Sequence, residues 1–277
     1  MLAGGIRDRR RSDMGKILAV SNQKGGVGKT TTAINLAASL ALADRRVLLV
    51  DVDPQANLTS GIGQRERAAQ VGTVYRALTD VGIDSELLPI IETGVQGLLL
   101  APSDRHLTGA EIEMVGLRDR ESRLRQLLEP RRNDFDYIFI DTPPSLGLLT
   151  LNALVAADEV VIPLHCEYFA MEGLAELVST LERVRAGLNP RLEVAGVLLT
   201  MYDERTNLAQ QVAAEIRAYF GQRVFHTVIP RNVRLGEAPS HGMPVMLYDV
   251  RSRGAEAYLA LAREFLERER ASGRRDT

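Results

Sequence analysis

The chain has 277 residues, of which 45% are hydrophobic and 25% charged, and its formal net charge is −2. These values are typical of a globular protein long enough to bury a sizeable core. The charge balance gives no overall basic field for nucleic acid, so any such binding needs a local patch. The single cysteine, Cys166, excludes an internal disulfide framework and leaves too few ligands within one chain for a zinc site or an iron–sulfur cluster.

The first residues, MLAGGIRDRRRSD, differ in composition from the rest. They contain four arginines and no apolar core that would indicate a signal peptide. We expect either a flexible arm that contacts DNA or a partner, or a solvated stretch upstream of a natural start at Met14. The predicted organisation is a disordered basic arm at 1–14, a single domain at 15–270 and a disordered tail at 271–277.

Short apolar runs alternate with longer segments of helical pattern along the chain. Most of these runs are apolar on both faces, as in a parallel sheet covered on both sides. The predicted strands are 16–21, 46–51, 97–102, 137–141, 159–164, 194–200 and 224–229. The predicted helices are 29–43, 73–80, 105–116, 119–129, 148–156, 171–187, 208–219 and 254–270. This alternation predicts an α/β fold: a doubly wound, mostly parallel sheet with helices on both faces, whose ligands bind beyond the carboxyl ends of the strands.

The first predicted strand runs into the glycine-rich sequence NQKGGVGKTT, and a helix follows. Its glycines allow positive φ and close approach of the backbone to a ligand, and the N–H groups of the helix N-terminus favour an anion. In a phosphate-binding loop of this type, Lys29 reaches the β- and γ-phosphates and the Thr30 hydroxyl binds Mg²⁺.

The same loop carries two of the three lysines in the chain, although Lys plus Arg number 34. The usual pattern has a glycine where this chain has Gln23, and Lys24 follows it. Lysine is a compact charge on a flexible stem, which suits phosphate groups that have no fixed fork geometry. Lys24 is therefore expected to serve phosphates, in addition to those that Lys29 contacts.

Carboxylates end two other predicted strands. Asp51 and Asp53 are two residues apart and therefore face the same side of an extended chain. Asp141 ends the apolar run YIFID, which is the Walker B pattern of a carboxylate that holds Mg²⁺ directly or through water. We expect metal contacts from Thr30, Asp51 and Asp141, with Asp51 supporting either the metal or the loop. The four histidines are scattered, and water is the expected acceptor of a phosphoryl group.

The loop sequence KGGVGKTT resembles the deviant Walker A motif of the ParA/MinD class of P-loop ATPases. The resemblance implies ATP and Mg²⁺ as cofactors and Lys24, Lys29 and Asp53 as catalytic residues. Lys24 would reach across an ATP-sandwich homodimer to the phosphates of the other subunit, and Asp53 would orient the attacking water. The implied nucleotide-binding residues are Lys24, Gly25, Gly26, Val27, Gly28, Lys29, Thr30 and Thr31, with Pro230 and Asn232 beside the base.

Further motifs resemble the chromosomal ParA (Soj) branch of this class, from Met14 to about Phe265. They include DVDPQANLTSGIG, DTPPSLGLLTLNAL and VIPRNVRLGEAPSHGMPVMLYDV. The resemblance implies a cytoplasmic, nucleoid-associated ATPase that partitions DNA. Its ATP-bound homodimer would bind double-stranded DNA nonspecifically, and a ParB-type centromere-binding protein would stimulate its slow hydrolysis.

Arginines in the late loops are the expected DNA contacts. Arg205 and Arg234 match positions at which the family places DNA-binding arginines, and Arg231 and Arg251 lie in the same region. Each of them could instead be a solvated surface charge with an acidic neighbour, such as Glu204 beside Arg205.

Three other functions fit parts of the sequence. A MinD-like regulator would cycle on membranes through a C-terminal amphipathic helix, but the last predicted helix here carries several glutamates that anionic lipid would repel. We therefore expect that helix to dock on the domain and predict no stable membrane association. A ParA-like positioner of a protein cargo and a small-molecule P-loop transferase of related fold remain open.

Overall fold

Seven strands form one sheet in the computed structural model, which describes residues 14–168 and 170–273. The strands are β1 (Lys16–Val20), β2 (Val47–Asp51), β3 (Ile91–Glu92), β4 (Leu98–Ala101), β5 (Tyr137–Asp141), β6 (Glu159–His165) and β7 (Glu193–Thr200). Their order in the sheet is β3-β4-β2-β5-β1-β6-β7. All neighbouring pairs are parallel except the edge pair of β3 and β4. The predicted mostly parallel sheet is confirmed.

Twelve α-helices connect or follow the strands in the described residues. They are α1 (Lys29–Leu42), α2 (Asn57–Gly61), α3 (Arg65–Val71), α4 (Val74–Thr79), α5 (Leu107–Glu113), α6 (Arg123–Leu128), α7 (Leu148–Ala156), α8 (Ala170–Gly187), α9 (Asn207–Phe220), α10 (Val233–Glu237), α11 (Val245–Tyr248) and α12 (Arg253–Gly273). In this part of the chain no helix is both long enough and apolar enough to cross a membrane.

Both faces of the sheet are buried, which explains why the strands read as continuous apolar runs. In β1, Ile17 and Ala19 point into the core beneath α4 to α9, whereas Leu18 and Val20 point into the core beneath α1, α2, α11 and α12. The C-terminal helix α12 packs directly on α1. Its buried side chains Tyr258, Leu261 and Phe265 belong to the second core, so the helix docks on the domain as expected.

The seventh predicted strand, at 224–229, is wrong. This segment runs beside β7 and forms one isolated bridge, Val224 with Val197; a second bridge, Pro230 with Tyr202, lies just after it. Two of its backbone N–H groups, those of His226 and Thr227, donate instead to the Glu264 carboxylate of α12. The N–H groups of Phe225 and Ile229 still donate to β7, so the distant side chain interrupts the strand pairing between those two residues. The short strand β3 and the short helices α2, α3, α10 and α11 were not predicted.

The predicted boundaries of the domain can be compared with the structure only in part. Residues 1–13 of the predicted arm and residues 274–277 of the predicted tail lie outside the described residues, and β1 begins two residues after Met14. The last helix, α12, continues to Gly273, three residues past the predicted end of the domain.

A buried arginine fastens α6 to the end of α4. Arg123 is 2% exposed, and its Nε donates to the carbonyl oxygen of Leu78 at 2.5 Å. Its Nη2 donates to the carbonyl oxygen of Asp80. The carbonyls at a helix C-terminus lack partners within the helix and carry partial negative charge, so a guanidinium there satisfies both the hydrogen bonds and the dipole.

Replacing this arginine should destabilise the fold without touching the strand ends. We expect Arg123→Ala to lower the free energy of unfolding by about 3 kcal/mol, because it leaves buried carbonyl oxygens unsatisfied and opens a cavity. Urea unfolding followed by circular dichroism measures the change. Arg125→Ala, at an exposed position of the same helix, is the control and should change stability little. Equal stability of the two variants would contradict the proposed role of Arg123 in holding α6 against the end of α4.

Candidate functional site

The carboxyl ends of β1, β2 and β5 meet at one edge of the sheet. Asp141, the last residue of β5, is paired in register with Val20 at the end of β1 and with Asp51 at the end of β2. The sheet therefore brings the glycine-rich loop and the predicted carboxylates together, although they are far apart in sequence.

The loop after β1 takes the conformation that its glycines allow. Gly26 has φ +72° and Gly28 has φ +88°, both in the left-handed region that other residues rarely adopt. Gly28 immediately precedes α1, and no side chain caps that helix. The first N–H groups of α1 therefore remain free to bind an anion, and the helix dipole favours one. The predicted anion site would therefore be made of backbone groups.

Lys29 lies inside this loop. Its side chain is buried, and its Nζ donates to the carbonyl oxygen of Lys24 at 3.0 Å. Burial lowers the pKa of the Lys29 amine, whereas the negative charges of Asp141 and Asp53 raise it. The amine thus bonds the backbone at the start of the loop, five residues earlier, and lies near two carboxylates. From this position it would meet phosphate oxygens.

The Lys24 side chain contacts another residue of its own chain. Its Nζ forms an ion pair with the Glu167 carboxylate at 2.5 Å, and the other oxygen of that carboxylate lies 2.8 Å from Nδ1 of His165. Hydrogen bonding to Lys24 holds the pKa of Glu167 below its usual value. The side chains of Lys24 and Glu167 are 38% and 48% exposed, so water screens this pair.

Thr30 and Asp141, two of the three predicted metal ligands, are hydrogen-bonded to each other. The Thr30 hydroxyl donates to Oδ2 of Asp141 at 2.7 Å, while Oδ1 of Asp141 is buried without a hydrogen-bond donor among the described residues. Burial, and then the charge of Asp51, raise the pKa of Asp141 well above its usual value. A cation beside Oδ1 would satisfy this oxygen and favour the ionised carboxylate. The oxygen donors suit Mg²⁺.

The described residues contain no group of three or more His, Cys, Asp or Glu side chains arranged to hold a metal ion. A cation at Thr30 and Asp141 would therefore take its other ligands from phosphate oxygens and water, as Mg²⁺ does in many nucleotide sites.

Asp51 is fully buried and supports the neighbouring loop. Its Oδ2 accepts hydrogen bonds from the backbone N–H and the hydroxyl of Thr59, and its Oδ1 accepts one from the N–H of Asp53. Burial raises the pKa of Asp51 to about 7. Of the two roles expected for Asp51, these contacts favour support of the loop over metal binding.

Asp53 faces the open side of the same edge. Its Oδ1 accepts a hydrogen bond from the N–H of Gln55 at 2.9 Å, and its backbone carbonyl accepts one from the Ser103 hydroxyl at 2.8 Å. No donor among the described residues contacts its Oδ2. The carboxylate is held by its own turn and keeps one oxygen for a ligand or water.

A cavity of about 900 Å³ lies over this edge of the sheet. The predicted residues that line it are Gly25, Gly26, Gly28, Lys29, Thr30, Thr31, Asp53, Pro230, Arg231 and Asn232. Lys24, Val27, Asp51 and Asp141 do not line it. Val27 is buried below the loop, where its carbonyl oxygen accepts a hydrogen bond from the Thr200 hydroxyl.

The far wall of the cavity follows β7. Met201 adopts φ +48° just after that strand, and Pro230 forms a bridge with Tyr202. The Oδ1 atom of Asn232 accepts a hydrogen bond from the N–H of Arg234, which caps α10. Part of the Asn232 side chain is thus already engaged, and its amide nitrogen is the group left for a base.

Several lining residues were missed in the sequence. Gln55 and Asn57 lie two and four residues after Asp53, so their position beside a predicted carboxylate was an available signal. Tyr258 of α12 also lines the cavity, with its hydroxyl 3.1 Å from the Thr32 hydroxyl oxygen. Nothing in the local sequence at Tyr258 indicates this position.

The four predicted DNA-contacting arginines follow β7 in the chain: Arg234 lies in α10, and Arg205, Arg231 and Arg251 lie outside the helices. Arg205 has an 85% exposed side chain and pairs with Asp203, not with the Glu204 that the sequence suggested. Arg234 pairs with Glu237 at 2.6 Å and Asp249 at 3.3 Å. Arg231 and Arg251 are exposed. Nothing in the structure tests DNA contact, so their role stays a prediction.

The fold and the loop together define a P-loop nucleotide-binding protein: a doubly wound sheet, a glycine-rich loop between β1 and α1, and a strand-end aspartate bonded to the threonine after the loop lysine. A family model described as an AAA domain matches residues 15–194. The chain is 54% identical over 268 residues to the chromosome partitioning protein ParA of Myxococcus xanthus, covering 97% of this chain and 94% of the relative. The chain belongs to the ParA/Soj family of chromosome-partitioning P-loop ATPases.

Two other similarities agree with this membership. The sporulation initiation inhibitor protein Soj of Bacillus subtilis is 57% identical over 252 residues, which cover 91% of this chain and 98% of Soj. Among solved structures, cobyrinic acid a,c-diamide synthase from Mycobacterium smegmatis with bound ADP and magnesium superposes with a TM-score of 0.80 at 35% identity. That match covers 94% of this chain and 97% of the other.

The raised pKa of Asp51 predicts a pH dependence of stability. Between about pH 4 and 7 the folded protein keeps a proton on Asp51 that the unfolded chain has released, so this group lowers the free energy of unfolding as pH rises. Its full effect, reached near pH 7, is roughly 4 kcal/mol. Asp51→Asn cannot titrate, and urea unfolding at several pH values should show a smaller fall in stability over this window. If the free energy of unfolding fell equally with pH in the wild type and the variant, the conclusion that Asp51 is buried in its neutral form would be contradicted.

Proposed function

We propose that this protein is a DNA-partitioning ATPase whose ATP-bound homodimer binds DNA nonspecifically and hydrolyses ATP when a ParB-type partner stimulates it. The observation that carries the proposal is the similarity to chromosome-partitioning proteins over nearly the whole length of both chains. The 35% identical synthase is more distant, and no residue constellation in the described part of the chain favours a second substrate.

ATP is the proposed ligand of the cavity. The free N–H groups at the start of α1 and the Lys29 amine would contact its phosphates, and the Thr30 hydroxyl and Asp141 would hold Mg²⁺. The M. smegmatis structure contains ADP and magnesium, which supports this assignment. The bound ion would neutralise charge on the phosphates during transfer to water.

Asp53 is the proposed group that orients the attacking water. It is 6% exposed, lines the cavity and keeps one carboxylate oxygen without a donor in the described residues. Its turn fixes its direction through the N–H of Gln55. Phosphoryl transfer needs mainly positioning and charge stabilisation, which a held carboxylate supplies.

The proposed dimer would use the exposed side of the loop. A Cβ atom at Gly25 would meet nothing closer than the Pro144 side chain, at 3.9 Å, and Gly25 does not have positive φ. The isolated subunit therefore has no steric need for glycine at this position. A requirement for glycine here would come from a ligand or a second subunit that approaches the loop.

Lys24 can serve the partner's nucleotide only if it leaves Glu167. An ion pair this exposed contributes about 1 kcal/mol or less, so a triphosphate with several negative charges can displace it. The contact with Glu167 therefore agrees with a proposal in which Lys24 leaves Glu167 for the partner's nucleotide on dimerisation. Before dimerisation, the contact holds the Lys24 side chain beside the loop.

Nonspecific DNA contact would come from Arg205, Arg231, Arg234 and Arg251. Ion pairs with Asp203, Glu237 and Asp249 reduce the positive field of Arg205 and Arg234, so one subunit offers few phosphate contacts. A dimer doubles that number on one rigid body, and the gain in affinity makes DNA binding depend on ATP. Such a protein would be found on the nucleoid.

Removing the Asp53 carboxylate should trap the DNA-bound state. We expect Asp53→Ala to hydrolyse ATP roughly 100-fold more slowly and to stay on a random-sequence DNA duplex after ATP is added. Phosphate release and gel retardation measure the two effects. Asp84→Ala is a matched control, because that aspartate also accepts an N–H two residues ahead but does not line the cavity. Wild-type turnover by Asp53→Ala would refute the role of Asp53.

Reversing the charge at Arg234 should weaken DNA binding alone. We expect Arg234→Glu to keep ATP-dependent dimerisation, measured by light scattering, while its affinity for the duplex falls about tenfold or more because each dimer loses two contacts. Arg191→Glu makes the same charge change before β7, at the opposite edge of the sheet, and should bind DNA normally. Unchanged gel retardation by Arg234→Glu would remove this residue from the DNA surface.

A further inference from the structure

The segment from Val224 to Ile229 leads into the cavity wall, and side chains of α12 hold it in place. Glu264 accepts the backbone N–H of His226 with one carboxylate oxygen and that of Thr227 with the other, both at 2.8 Å. The carboxylate is therefore bidentate to two successive peptide groups, 38 and 37 residues away in sequence. It takes two successive donors of a segment whose N–H groups at Phe225 and Ile229 bond β7.

A second side chain of α12 completes the hold on this segment. Arg268 donates to the carbonyl oxygen of Val224 at 2.7 Å and also pairs with Glu264 at 2.7 Å. Its guanidinium lies over the ring of Phe225, 4.4 Å from the centroid. Below that ring, a Cβ atom added to Gly196 would come within 2.5 Å of Phe225, so β7 has no room for a side chain there. The segment is fixed from both sides.

The held segment leads directly into the cavity. The N–H of Ile229 donates to Leu199 of β7, and the N–H of Tyr202 donates back to Ile229. Ile229, Pro230 and Asn232 then line the cavity wall opposite the glycine-rich loop. The wall is thus bonded to β7 through Ile229, and the chain just before it is bonded to α12 through Glu264.

We propose that Glu264 is a positioning residue for the base of the bound nucleotide: by fixing residues 226 and 227 it sets where the wall at Pro230 and Asn232 stands. This inference rests on the proposed ATP site. Glu264 does not line the cavity, so it acts through the segment and not on the nucleotide itself.

The state of the Glu264 carboxyl agrees with this role. Burial favours its neutral form, but the backbone N–H groups of Thr227 and His226 outweigh burial and lower its pKa. It is therefore ionised at neutral pH, where charge-assisted bonds to N–H groups are strong. The phosphate end of the site is built separately, from β1, the glycine-rich loop and α1, so it should not respond to Glu264.

The test separates base recognition from phosphate binding. Glu264→Ala removes both acceptors, and Glu264→Gln keeps one acceptor oxygen and the side-chain volume. The full-length variants are compared in KM and kcat for ATP, in the ratio of kcat/KM for ATP to that for GTP, and in the inhibition constant of tripolyphosphate, which has no base. Glu269→Gln is the matched control, because it breaks a 2.8 Å ion pair of the same helix, with Lys16, away from the segment.

For Glu264→Ala we expect the KM for ATP to rise about tenfold, the preference for ATP over GTP to fall, and kcat and tripolyphosphate inhibition to stay near wild type. Glu264→Gln should be intermediate, and it carries the test if the alanine variant does not fold. An unchanged KM and base preference in Glu264→Gln would overturn the proposal. So would an equal loss of tripolyphosphate affinity, which a general structural defect produces. A wild type that hydrolyses ATP and GTP equally would overturn it while leaving the partitioning function intact.

Discussion

The arrangement of the site depends on two buried carboxyl groups that lie side by side at the ends of neighbouring strands. Asp51 and Asp141 are paired in register on β2 and β5, and both are fully buried. Burial raises the pKa of both carboxyl groups, and the charge of Asp51 raises that of Asp141 further. The fold gives the two residues different partners. The hydrogen bonds of Asp51 hold the loop of Asp53 in place, whereas Asp141 keeps one oxygen without a donor in the described residues. One carboxylate therefore builds the site and the other is left to meet a cation.

The two loop lysines divide in a similar way. Lys29 is buried, and its contact with the backbone of Lys24 is part of the folded loop. Lys24 is part-exposed and contacts Glu167, a residue that follows β6. A buried amine in a low dielectric interacts strongly with whatever anion enters, and an exposed amine can change partners at little cost. Lys29 is thus a permanent part of the folded loop, whereas Lys24 can exchange one anionic partner for another. This difference agrees with the proposed function.

The sheet and the glycine-rich loop were predictable because they follow local patterns: apolar runs of strand length, glycines before a helix, and aspartates at strand ends. The wrong strand at 224–229 has an equally good local pattern, but Glu264 takes its N–H groups from 37 residues away or more. The contact of Lys24 with Glu167 spans 143 residues and has no local signal. Tyr258 reaches the cavity only because α12 packs on α1. Local sequence patterns indicated a phosphate-binding site, whereas contacts between residues far apart in sequence determine which other side chains surround that site.

Nucleotide and DNA would be recognised by one short stretch of chain. Pro230 and Asn232 line the cavity, and the Asn232 side chain caps the helix that carries Arg234. A base that engaged the free amide of Asn232 would therefore bind next to the first turn of α10, two residues from a proposed DNA contact. Upstream, Glu264 and Arg268 anchor the same stretch to α12. Under the proposed function, the chain that lines the base end of the cavity is therefore continuous with the helix that carries Arg234.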